Sequence, residues 1–491
     1  MQSQSLRRAT SVCALAVTAA LPLSLGAQIT TAEYQARRDS LAARISDGVV
    51  VAFGGRTPVS DFGTFFQLPA FQYLTGYAEP DAALVLVARG GRGVGTLFVT
   101  PIDPRRAFYY GFRPDSAAIA RSLDLASRPA ASLTTMVDSL AGAGLTVYTL
   151  TDFEDADFAR VDSLTRGQQF VRGLVARHPG LEVKDAHATL DQLRARKSPA
   201  EIALLKRAAE ISAEGHRVVM QSAQPQHEYD IAALIEYTFK RLGAERAAYG
   251  SIVGAGVNGT QLHYMKDTAA ARPGDLVVID AAAEYHGYAA DITRTLPVSG
   301  TFTPAQRAIY QLVREAQAAA ERVAKPGALA RAAEDSSFVV RARGLAALGI
   351  IDSVDAPIDP PWTGMCGTAP RACTQAYLWM IHGISHGLGL AVHDPAQFYY
   401  GARTYQPGDA FTIEPGIYLS TRALAALPDT PRNRAYIARV RPILLKYENT
   451  GVRIEDDYVV TQNGVERISA GAPREISEIE ALAKSRVRPV P

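Results

Sequence analysis

Two patterns of apolar residues alternate along the first third of the chain. Short apolar runs predict buried strands at 49–53, 83–87 and 95–101. Helical spacing of apolar residues between and after them predicts helices at 34–45, 117–123 and 133–143. Strands that alternate with helices in this way are typical of an α/β domain, which we place over about residues 28–175.

The pattern changes after a polar connector near residues 178–184. Residues 198–201 (Ser-Pro-Ala-Glu) combine a hydroxyl cap, a proline in the first turn and a glutamate three positions after the cap, which predicts a helix start. Apolar spacing then predicts helices over 202–219, 230–242 and 304–323. Because 491 residues are too many for one hydrophobic core, we predict an N-terminal domain at 28–178 and a second domain at 179–480.

The composition is that of an ordinary soluble globular protein. Hydrophobic residues account for 47% of the chain and charged residues for 20%. The net charge is +2, and the basic residues are dispersed along the chain. Because nucleic-acid binding would need a basic stripe or patch, we expect no nucleic-acid partner.

The first 27 residues have the pattern of a secretory signal peptide. Arg7 and Arg8 precede an apolar run over 12–25, and Ala27 ends the segment with a small residue. The run is too short for a membrane span, so none is expected. We therefore predict that residues 1–27 direct export to the periplasm or the medium.

Cysteine usage is sparse. Cys13 leaves with the predicted signal peptide, and Cys366 and Cys373 remain, seven positions apart in a segment that reads as a loop. In an oxidising compartment a local disulfide between them is expected, with two free thiols as the alternative.

Two short motifs match known sites but lack the required context. Residues 254–259 (GAGVNG) match the dinucleotide fingerprint GxGxxG, but the residues that follow, 260–264, read as extended rather than as the helix that the motif needs. Residues 383–387 (GISHG) match the nucleophile elbow GxSxG. No acid followed by a histidine comes after Ser385 in the order that a serine hydrolase needs, so we exclude that class.

A pair of aspartates in apolar strands carries the first chemical signal. The run 275–280 predicts a buried strand that ends at Asp280, and the run 288–298 is again strand-like, with Asp291 inside it. A hairpin folded about the midpoint between residues 285 and 286 would place the two aspartates directly opposite each other, with Cβ atoms ~4.5–5.5 Å apart. Two like charges in an apolar sheet are destabilising unless a cation lies between them, so the pair predicts a metal site.

Histidines and further carboxylates follow along the chain. His382, His386 and His393 lie within twelve residues. Glu414 ends the apolar run 411–414 (FTIE), and Glu455 ends the run 451–455 (GVRIE). Glycines among the histidines exclude the zincin helix.

Together these side chains predict a site for two divalent cations. Oxygen-rich donors with one or more imidazoles suit manganese, which we prefer, with cobalt or zinc as alternatives. Two metals ~3.5–4 Å apart can hold a bridging hydroxide and polarise a scissile carbonyl. This chemistry indicates a hydrolase.

The same order of residues resembles that of the pita-bread metallopeptidases and, within them, the Xaa-Pro aminopeptidases. The resemblance covers residues from about 33 to 479, and the motifs at 193–199 (LRARKSP) and 71–76 (FQYLTG) are similar to family motifs. It implies an α/β N-terminal domain followed by an α+β pita-bread catalytic domain. It also implies peptide substrates with proline at the second position and a homo-oligomer, a dimer or a tetramer.

The resemblance assigns roles to five metal ligands. It implies that Asp280 chelates one metal, that Asp291 and Glu455 bridge both metals, and that His386 and Glu414 hold the other. The reaction that it implies is hydrolysis of the Xaa-Pro bond by a metal-bridging hydroxide.

The resemblance also names residues around the ligands. It implies that His263 and His393 hydrogen-bond the substrate and the tetrahedral intermediate, and that His382 lines the pocket. Glu414 is a candidate proton shuttle, and Arg453 is a candidate for orienting Asp280 or the substrate.

Two departures from the family pattern keep alternatives open. Residues 67–70 (QLPA) replace a more polar family stretch, and the segment 420–450 is longer than in bacterial relatives and nearer to that of prolidase, the Xaa-Pro dipeptidase of the same fold. Its arginines could capture the free carboxylate of a dipeptide; they are Arg432, Arg434, Arg439 and Arg441. A prolidase-like dipeptidase is therefore the second hypothesis. A non-catalytic binding module is the third, which the complete ligand set disfavours.

Overall fold

The computed structural model describes most of the chain, in eight ranges. These are residues 28–58, 63–101, 103–111, 115–150, 165–222, 227–362, 373–395 and 403–485. The predicted signal peptide and Cys366 lie outside them. Cys373 is disulfide-bonded, while its predicted pairing with Cys366 stays a prediction. Within the described ranges, no helix has the length and apolarity needed to cross a membrane.

A six-stranded mixed sheet forms the N-terminal domain. Its strands are β1 (Gly48–Phe53), β2 (Ala83–Arg89), β3 (Arg92–Val99), β4 (Ala126–Pro129), β5 (Thr146–Thr149) and β6 (Val183–Asp185). Their spatial order is β4-β3-β2-β1-β5-β6; β2 is antiparallel to β1 and β3, and the remaining pairs are parallel. The three predicted strands are confirmed, and β6 carries the sheet a few residues past position 178.

Helices cover both faces of this sheet. They are α1 (Thr31–Ala42), α2 (Pro69–Thr75), α3 (Pro104–Tyr110), α4 (Ser116–Leu123), α5 (Leu133–Gly142), α6 (Arg166–Arg177) and α7 (His187–Arg194). Side chains alternate along β1, so that Val50 packs with Leu41 and Phe71 on one face, while Val49 packs with Val137 on the other. Both faces are buried, as the continuous apolar runs predicted, and the α/β domain is confirmed.

The second domain surrounds several small sheets with helices. Its helices are α8 (Pro199–Gln221), α9 (Glu228–Arg241), α10 (Pro304–Val323), α11 (Ala330–Ala347), α12 (Thr421–Ala425), α13 (Pro431–Leu444) and α14 (Ile476–Lys484). The predicted start of α8 is confirmed: Ser198 Oγ accepts from the Glu201 amide at 3.2 Å, and the Ser198 amide donates to Glu201 Oε2 at 2.9 Å.

The strands of this domain pair as short antiparallel ladders. They are β7 (Arg246–Ala247), β8 (Ile252–Ala255), β9 (Leu276–Asp280), β10 (Ala283–Tyr285), β11 (Tyr288–Ala289), β12 (Thr293–Pro297), β13 (Ala410–Ile413), β14 (Gly416–Leu419), β15 (Thr450–Arg453), β16 (Asp456–Val460) and β17 (Val465–Arg467). The sheets are β11-β10-β7, β12-β9-β8, β13-β16-β17 and β14-β15. The glycine-rich residues after β8 form a 3-10 turn, Gly256–Thr260, rather than the long helix of a dinucleotide site.

The predicted register of the aspartate hairpin is wrong by two residues. Tyr285 pairs with Tyr288, and Asp280 pairs with Thr293 rather than with Asp291. The turn therefore consists of His286 and Gly287, whose φ angles of 50° and 80° are the two positive values of a type I′ turn. Asp291 is a diagonal neighbour of Asp280, not its direct partner.

The shift leaves both aspartates on the same side of the sheet. Side chains along a strand alternate with a period of two, so a change of register by two residues keeps the face. The ladder is interrupted between β9 and β10 and between β11 and β12. There the Nε2 atom of the fully buried His216 lies 3.0 Å from the Ala281 carbonyl and 3.1 Å from the Ile292 carbonyl. A single ring nitrogen thus fills the gap behind the two aspartates.

The long segment 420–450 is part of the folded core. Tyr436, Val440 and Leu444 on α13 are buried, and Trp379 Nε1 donates to Tyr436 Oη at 2.9 Å. Three of its four arginines already form ion pairs with carboxylates, which are Arg432 with Asp359, Arg434 with Asp429 and Arg439 with Asp352.

Candidate metal centre

Asp280 and Asp291 meet at one hydroxyl group. Asp280 is the last residue of β9, and Asp291 lies in the interruption before β12. Tyr249 Oη is 2.5 Å from Asp280 Oδ1 and 2.6 Å from Asp291 Oδ1. Because a hydroxyl carries one proton, it can donate to only one of these oxygens at a time. The two carboxylates are therefore held together more closely than this hydrogen bond alone would favour.

Two further segments bring a histidine and two glutamates to the aspartates. Residues 384–387 run beside β13, with the Thr412 amide donating to the His386 carbonyl at 3.1 Å and the Glu414 amide to the Ile384 carbonyl at 2.8 Å. Glu455 lies between β15 and β16, and its amide donates to the Thr293 carbonyl at 3.1 Å. Backbone pairing thus fixes the separation of all three side chains from β12 and β13.

Three of the predicted carboxylate ligands converge on the His386 ring, and the fourth, Asp280, is joined to Asp291 through Tyr249. His386 Nε2 lies 3.3 Å from Asp291 Oδ2, 3.5 Å from Glu414 Oε1 and 3.8 Å from Glu455 Oε1. One ligand atom each of Asp291, His386 and Glu455 lies within 4.8 Å of the others. His386 Nδ1 is 3.0 Å from the Gly387 carbonyl, a contact that requires a proton on Nδ1. With Nδ1 as donor, a neutral His386 presents the lone pair of Nε2 to the carboxylates, as a metal-binding imidazole does.

The charge of the cluster is not balanced by protein groups. Burial, with the charge of Asp280, raises the pKa of Asp291, and burial raises the pKa of Glu414 to about 8. Burial and the neighbouring carboxylates raise the pKa of Glu455 well above its usual range. For His386, burial alone would lower the pKa, but Asp291 and Glu414 raise it to about 9. Arg453 contacts only one of these carboxylates, Asp280, so protons or metal cations must neutralise the others.

The donor set fits divalent metal ions. Glu455 Oε2 accepts from Thr293 Oγ1 at 2.7 Å, whereas the buried Oε1 has no hydrogen-bond partner among the described residues. A buried acceptor without a partner costs free energy, and this one faces His386 Nε2. Carboxylate oxygens with one imidazole nitrogen suit Mn²⁺, Co²⁺ or Zn²⁺.

Arg453 joins the cluster to the wall of the cleft. Its Nη2 lies 2.6 Å from Asp280 Oδ2, and its Nη1 donates to Tyr418 Oη at 2.8 Å. Because Arg453 can only donate, Tyr418 gives its own proton to His382 Nε2, which is 2.8 Å away. His382 Nδ1 is left as the donor to the Gly383 carbonyl at 2.7 Å. Burial and Arg453 hold the pKa of His382 well below its usual value, consistent with this neutral form.

His393 and His263 lie on the same side of the centre. The His393 ring is 4.1 Å from the His386 ring, centroid to centroid. The charge of His386, burial and the charge of His263 lower the pKa of His393 to about 3, and His263 also lowers that of His382. The side chain of His263 is exposed. These histidines therefore face one cleft beside the carboxylates.

Four residues of the site were missed in the sequence. Tyr249 contacts both aspartates, Thr293 contacts Glu455 and Arg453, and Tyr418 links Arg453 to His382. Asp457 accepts from the Asp291 amide at 3.2 and 3.1 Å through its two oxygens. Only Asp457 carries a signal in the sequence, as the third acid of the run 455–457.

Two family models match the chain. The model of metallopeptidase family M24 matches residues 203–462, and that of the aminopeptidase P N-terminal domain matches residues 34–148. The two matches fall on the domain with the carboxylate cluster and on the domain with the six-stranded sheet, respectively.

Individual proteins are similar over nearly the whole chain. Xaa-Pro aminopeptidase of Escherichia coli (strain K12) is 33% identical over 471 residues, which cover 93% of this chain and 98% of that protein. Xaa-Pro aminopeptidase of Haemophilus influenzae is 33% identical and covers 85% of this chain and 88% of its own. Among solved structures, proline aminopeptidase P II from Yersinia pestis has a TM-score of 0.76 at 32% identity, covering 93% of this chain and 99% of that chain. Zn-substituted E. coli aminopeptidase P in complex with product has a TM-score of 0.76 at 30% identity, covering 94% and 100%.

Proposed function

The chain belongs to metallopeptidase family M24, and on that premise we propose that it cleaves peptides between the first residue and a proline at the second position with two divalent metal ions, manganese in the native enzyme. It is a metallo-aminopeptidase of the Xaa-Pro type, with an aminopeptidase P N-terminal domain and a pita-bread catalytic domain. The observation that carries the proposal is the convergence of Asp291, Glu414 and Glu455 on His386, with Asp280 joined to Asp291 through Tyr249. Glu455 Oε1 has no hydrogen-bond partner among the described residues.

In the proposed mechanism Asp280, Asp291, His386, Glu414 and Glu455 would hold the metals. When bound, such ions supply a water activated at neutral pH and polarise the scissile carbonyl. Arg453 keeps Asp280 in one orientation through the contact of 2.6 Å. Tyr249 Oη contacts both Asp280 and Asp291 and can donate its proton to either of them.

The two oxygens of Glu414 contact two different histidines. Its Oε1 lies 3.5 Å from His386 Nε2, and its Oε2 lies 3.5 Å from His382 Nδ1. One carboxylate oxygen thus faces the ligands while the other faces the cleft. We assign to Glu414 the transfer of a proton from the attacking water to the leaving proline nitrogen. His263 and His393 then hydrogen-bond the substrate and the tetrahedral intermediate.

Substrate length separates the aminopeptidase from the prolidase-like alternative. A dipeptidase needs a cation to bind the free carboxylate of its substrate. Three of the four candidate arginines of segment 420–450 already pair with Asp352, Asp359 and Asp429. This pairing favours an open site for longer peptides.

The test is a digestion series with manganese-loaded enzyme. We expect Xaa-Pro-Yaa and longer peptides to be cleaved with a kcat/KM at least equal to that for Xaa-Pro dipeptides, and Xaa-Ala-Yaa to be a poor substrate. The double variant Arg432→Ala/Arg434→Ala should leave this order unchanged. Turnover of dipeptides alone would establish a prolidase, and no turnover at full metal content would leave a binding module.

Export and oligomeric state complete the proposal. The basic start, apolar run and small residues of segment 1–27 support export to the periplasm or the medium. We expect the mature protein to begin at Gln28 and to form a dimer or a tetramer. Intact mass of the secreted protein tests the first expectation, and light scattering tests the second.

A further inference from the structure

His263 depends on its loop for its position. The residue lies between the 3-10 turn Gly256–Thr260 and β9. The side chain is exposed, and it forms no hydrogen bond or ion pair with any residue that the structure describes. An unanchored side chain can face the cleft reproducibly only if the backbone that carries it is fixed. The backbone that carries it is the loop 255–269, which we define as the His263 loop.

A single carboxylate closes the base of the His263 loop. Glu228 is fully buried at the first position of α9. Its Oε1 accepts from the Ala255 amide at 2.8 Å and from Asn258 Nδ2 at 2.9 Å. Its Oε2 accepts from the Ala269 amide at 2.7 Å and from Tyr264 Oη at 3.0 Å. The two ends of the loop and two side chains within it therefore meet on one residue.

The four donors explain how the charge of Glu228 is tolerated. No ion pair joins Glu228 to a Lys or Arg among the described residues. A buried carboxylate is costly unless its lone pairs are used, and here neutral donors use them. The position in the first turn of α9 adds the favourable end of the helix dipole. The Glu228 amide also donates to the Ala269 carbonyl at 2.9 Å, so backbone and side chain hold the same end of the loop.

The anchor is separate from the metal ligands. The partners of Glu228 are Ala255, Asn258, Tyr264 and Ala269, none of which is a predicted ligand. Tyr264 follows His263 directly in the chain, so the bond from its hydroxyl acts one residue from the exposed imidazole. A change at Glu228 should therefore displace His263 while the carboxylate cluster stays intact.

We propose that Glu228 is a positioning residue for the peptidase reaction: it closes the His263 loop and thereby sets the place of the His263 imidazole against the substrate. The proposal rests on the proposed function, because it takes from it the contact of His263 with the bound peptide. It adds a residue outside the metal centre that controls use of the substrate without controlling metal content.

The test uses Glu228→Gln in the full-length, manganese-loaded enzyme. The amide keeps the size of the side chain, but its NH₂ group cannot accept from a backbone amide, so either Ala255 or Ala269 loses its acceptor. We expect kcat/KM for an Xaa-Pro-Yaa peptide to fall about tenfold or more, because a small displacement of a group that contacts the substrate slows the reaction by up to about 100-fold. Manganese affinity should change less than about twofold. Hydrogen exchange at the amides of the His263 loop should accelerate.

A double variant distinguishes positioning from general destabilisation. If Glu228 acts through His263, then Glu228→Gln should have little further effect on kcat/KM in a His263→Ala background.

Glu236→Gln is the matched control on the same helix. Glu236 Oε1 accepts from Ser251 Oγ at 2.6 Å, outside the His263 loop, so its kcat/KM should stay within about twofold of the wild type. Tyr264→Phe, which removes one donor only, should give a smaller loss and serves if Glu228→Gln does not fold.

Several outcomes would overturn the proposal. One is a folded Glu228→Gln enzyme with wild-type kcat/KM, and another is loss of manganese from that variant. The third is a Glu228→Gln/His263→Ala double variant in which the two reductions in kcat/KM multiply. If Glu228→Gln does not fold, the proposal is overturned by a Tyr264→Phe enzyme whose kcat/KM and whose hydrogen exchange in the His263 loop are both unchanged. If the wild type cleaves no Xaa-Pro peptide, the proposed function fails, while the exchange measurement still tests the anchor on its own.

Discussion

At the scale of single residues, the carboxylates of the metal centre have few protein cations close to them. Of the carboxylates, Arg453 contacts only Asp280, and among the described residues His386 is the one imidazole that lies within 4 Å of all three of Asp291, Glu414 and Glu455. The rest of the negative charge must be neutralised by what the cluster binds. Substitution of one ligand should therefore change the metal content before it changes the fold.

Asp291→Asn is the direct test of this expectation. Asp291 Oδ1 contacts Tyr249 and Oδ2 contacts His386, so an amide of the same shape keeps the packing but loses the charge. We expect metal content to fall below half and kcat/KM to fall at least ~100-fold, the upper range seen for residues that merely support ligands. Elemental analysis and circular dichroism check it, with Asp429→Asn as the exposed control. An active mutant with full metal occupancy would remove Asp291 from the ligand set.

Protons and metal ions should compete for the same centre. Without metal, burial raises the pKa of Glu414 to about 8, and Asp291 and Glu414 raise that of His386 to about 9 against the effect of its burial. Both groups are then largely protonated at neutral pH and must lose their protons to bind a metal, so affinity falls as the pH drops below these values. We expect the Kd for Mn²⁺ to rise at least about tenfold per pH unit between pH 8 and 6.5. Calorimetry in two buffers counts the protons released; a Kd independent of pH would contradict the expectation.

The meeting of the carboxylates and His386 could be predicted from the sequence, but most of the residues that support this cluster could not. A carboxylate at the end of an apolar run, such as Glu414 after β13, is conspicuous because burial of a charge needs a reason. Tyr249 and Tyr418 are two of 21 tyrosines, and nothing in their local sequence distinguishes them. Their roles arise only when segments far apart in the chain meet.

At the scale of elements, the aspartate hairpin shows which part of a register a sequence determines. The assumed hairpin predicted the correct face for Asp280 and Asp291, because the face repeats every two residues. It could not select between registers that differ by two. That choice depends on the turn. His286 and Gly287 adopt the two positive φ angles of the observed turn, whereas the predicted register would have placed residues 285 and 286 there.

Gly451 lies at a contact between two elements that leaves no space for a larger side chain. A Cβ atom on this β15 residue would lie 1.9 Å from the Gly259 carbonyl oxygen, which belongs to the 3-10 turn Gly256–Thr260. Because the obstacle is backbone, Gly451→Ala must separate the strand from the turn. We expect the free energy of unfolding to fall by ~2 kcal/mol or more and kcat/KM to fall with it, since β15 leads into Arg453 and Glu455.

Gly464→Ala provides the matched comparison for Gly451→Ala. Nothing lies within 4 Å of a Cβ atom at Gly464, so its stability should stay within ~0.5 kcal/mol of the wild type. Urea unfolding monitored by circular dichroism measures both variants. Equal stabilities for the two would show that β15 and the 3-10 turn can separate freely.

At the scale of the whole molecule, the N-terminal domain is joined to the hairpin that carries Asp291. Arg37 on α1 is buried; its Nη2 lies 2.7 Å from Glu33 and 3.4 Å from Glu201, which belongs to the catalytic domain. Glu201 Oε1 in turn accepts from Tyr288 Oη at 3.0 Å. Tyr288 precedes Asp291 by three residues, so one buried network connects the two domains to the start of the metal centre.

Removing the cation of this network should therefore loosen the whole enzyme. Arg37→Met leaves Glu201 buried without its counter-charge, and breaking a buried pair costs ~3–5 kcal/mol. We expect a lower thermal midpoint together with a reduced kcat/KM, because the hairpin loses the partner that holds Tyr288 through Glu201. The double variant Arg37→Met/Glu201→Gln should recover part of both losses, since an amide still accepts from the Ser198 amide and needs no counter-charge. Differential scanning calorimetry and kinetics on the same preparations decide the matter: a double variant as unstable as the single one would mean that packing of the Arg37 side chain, not its charge, joins the domains.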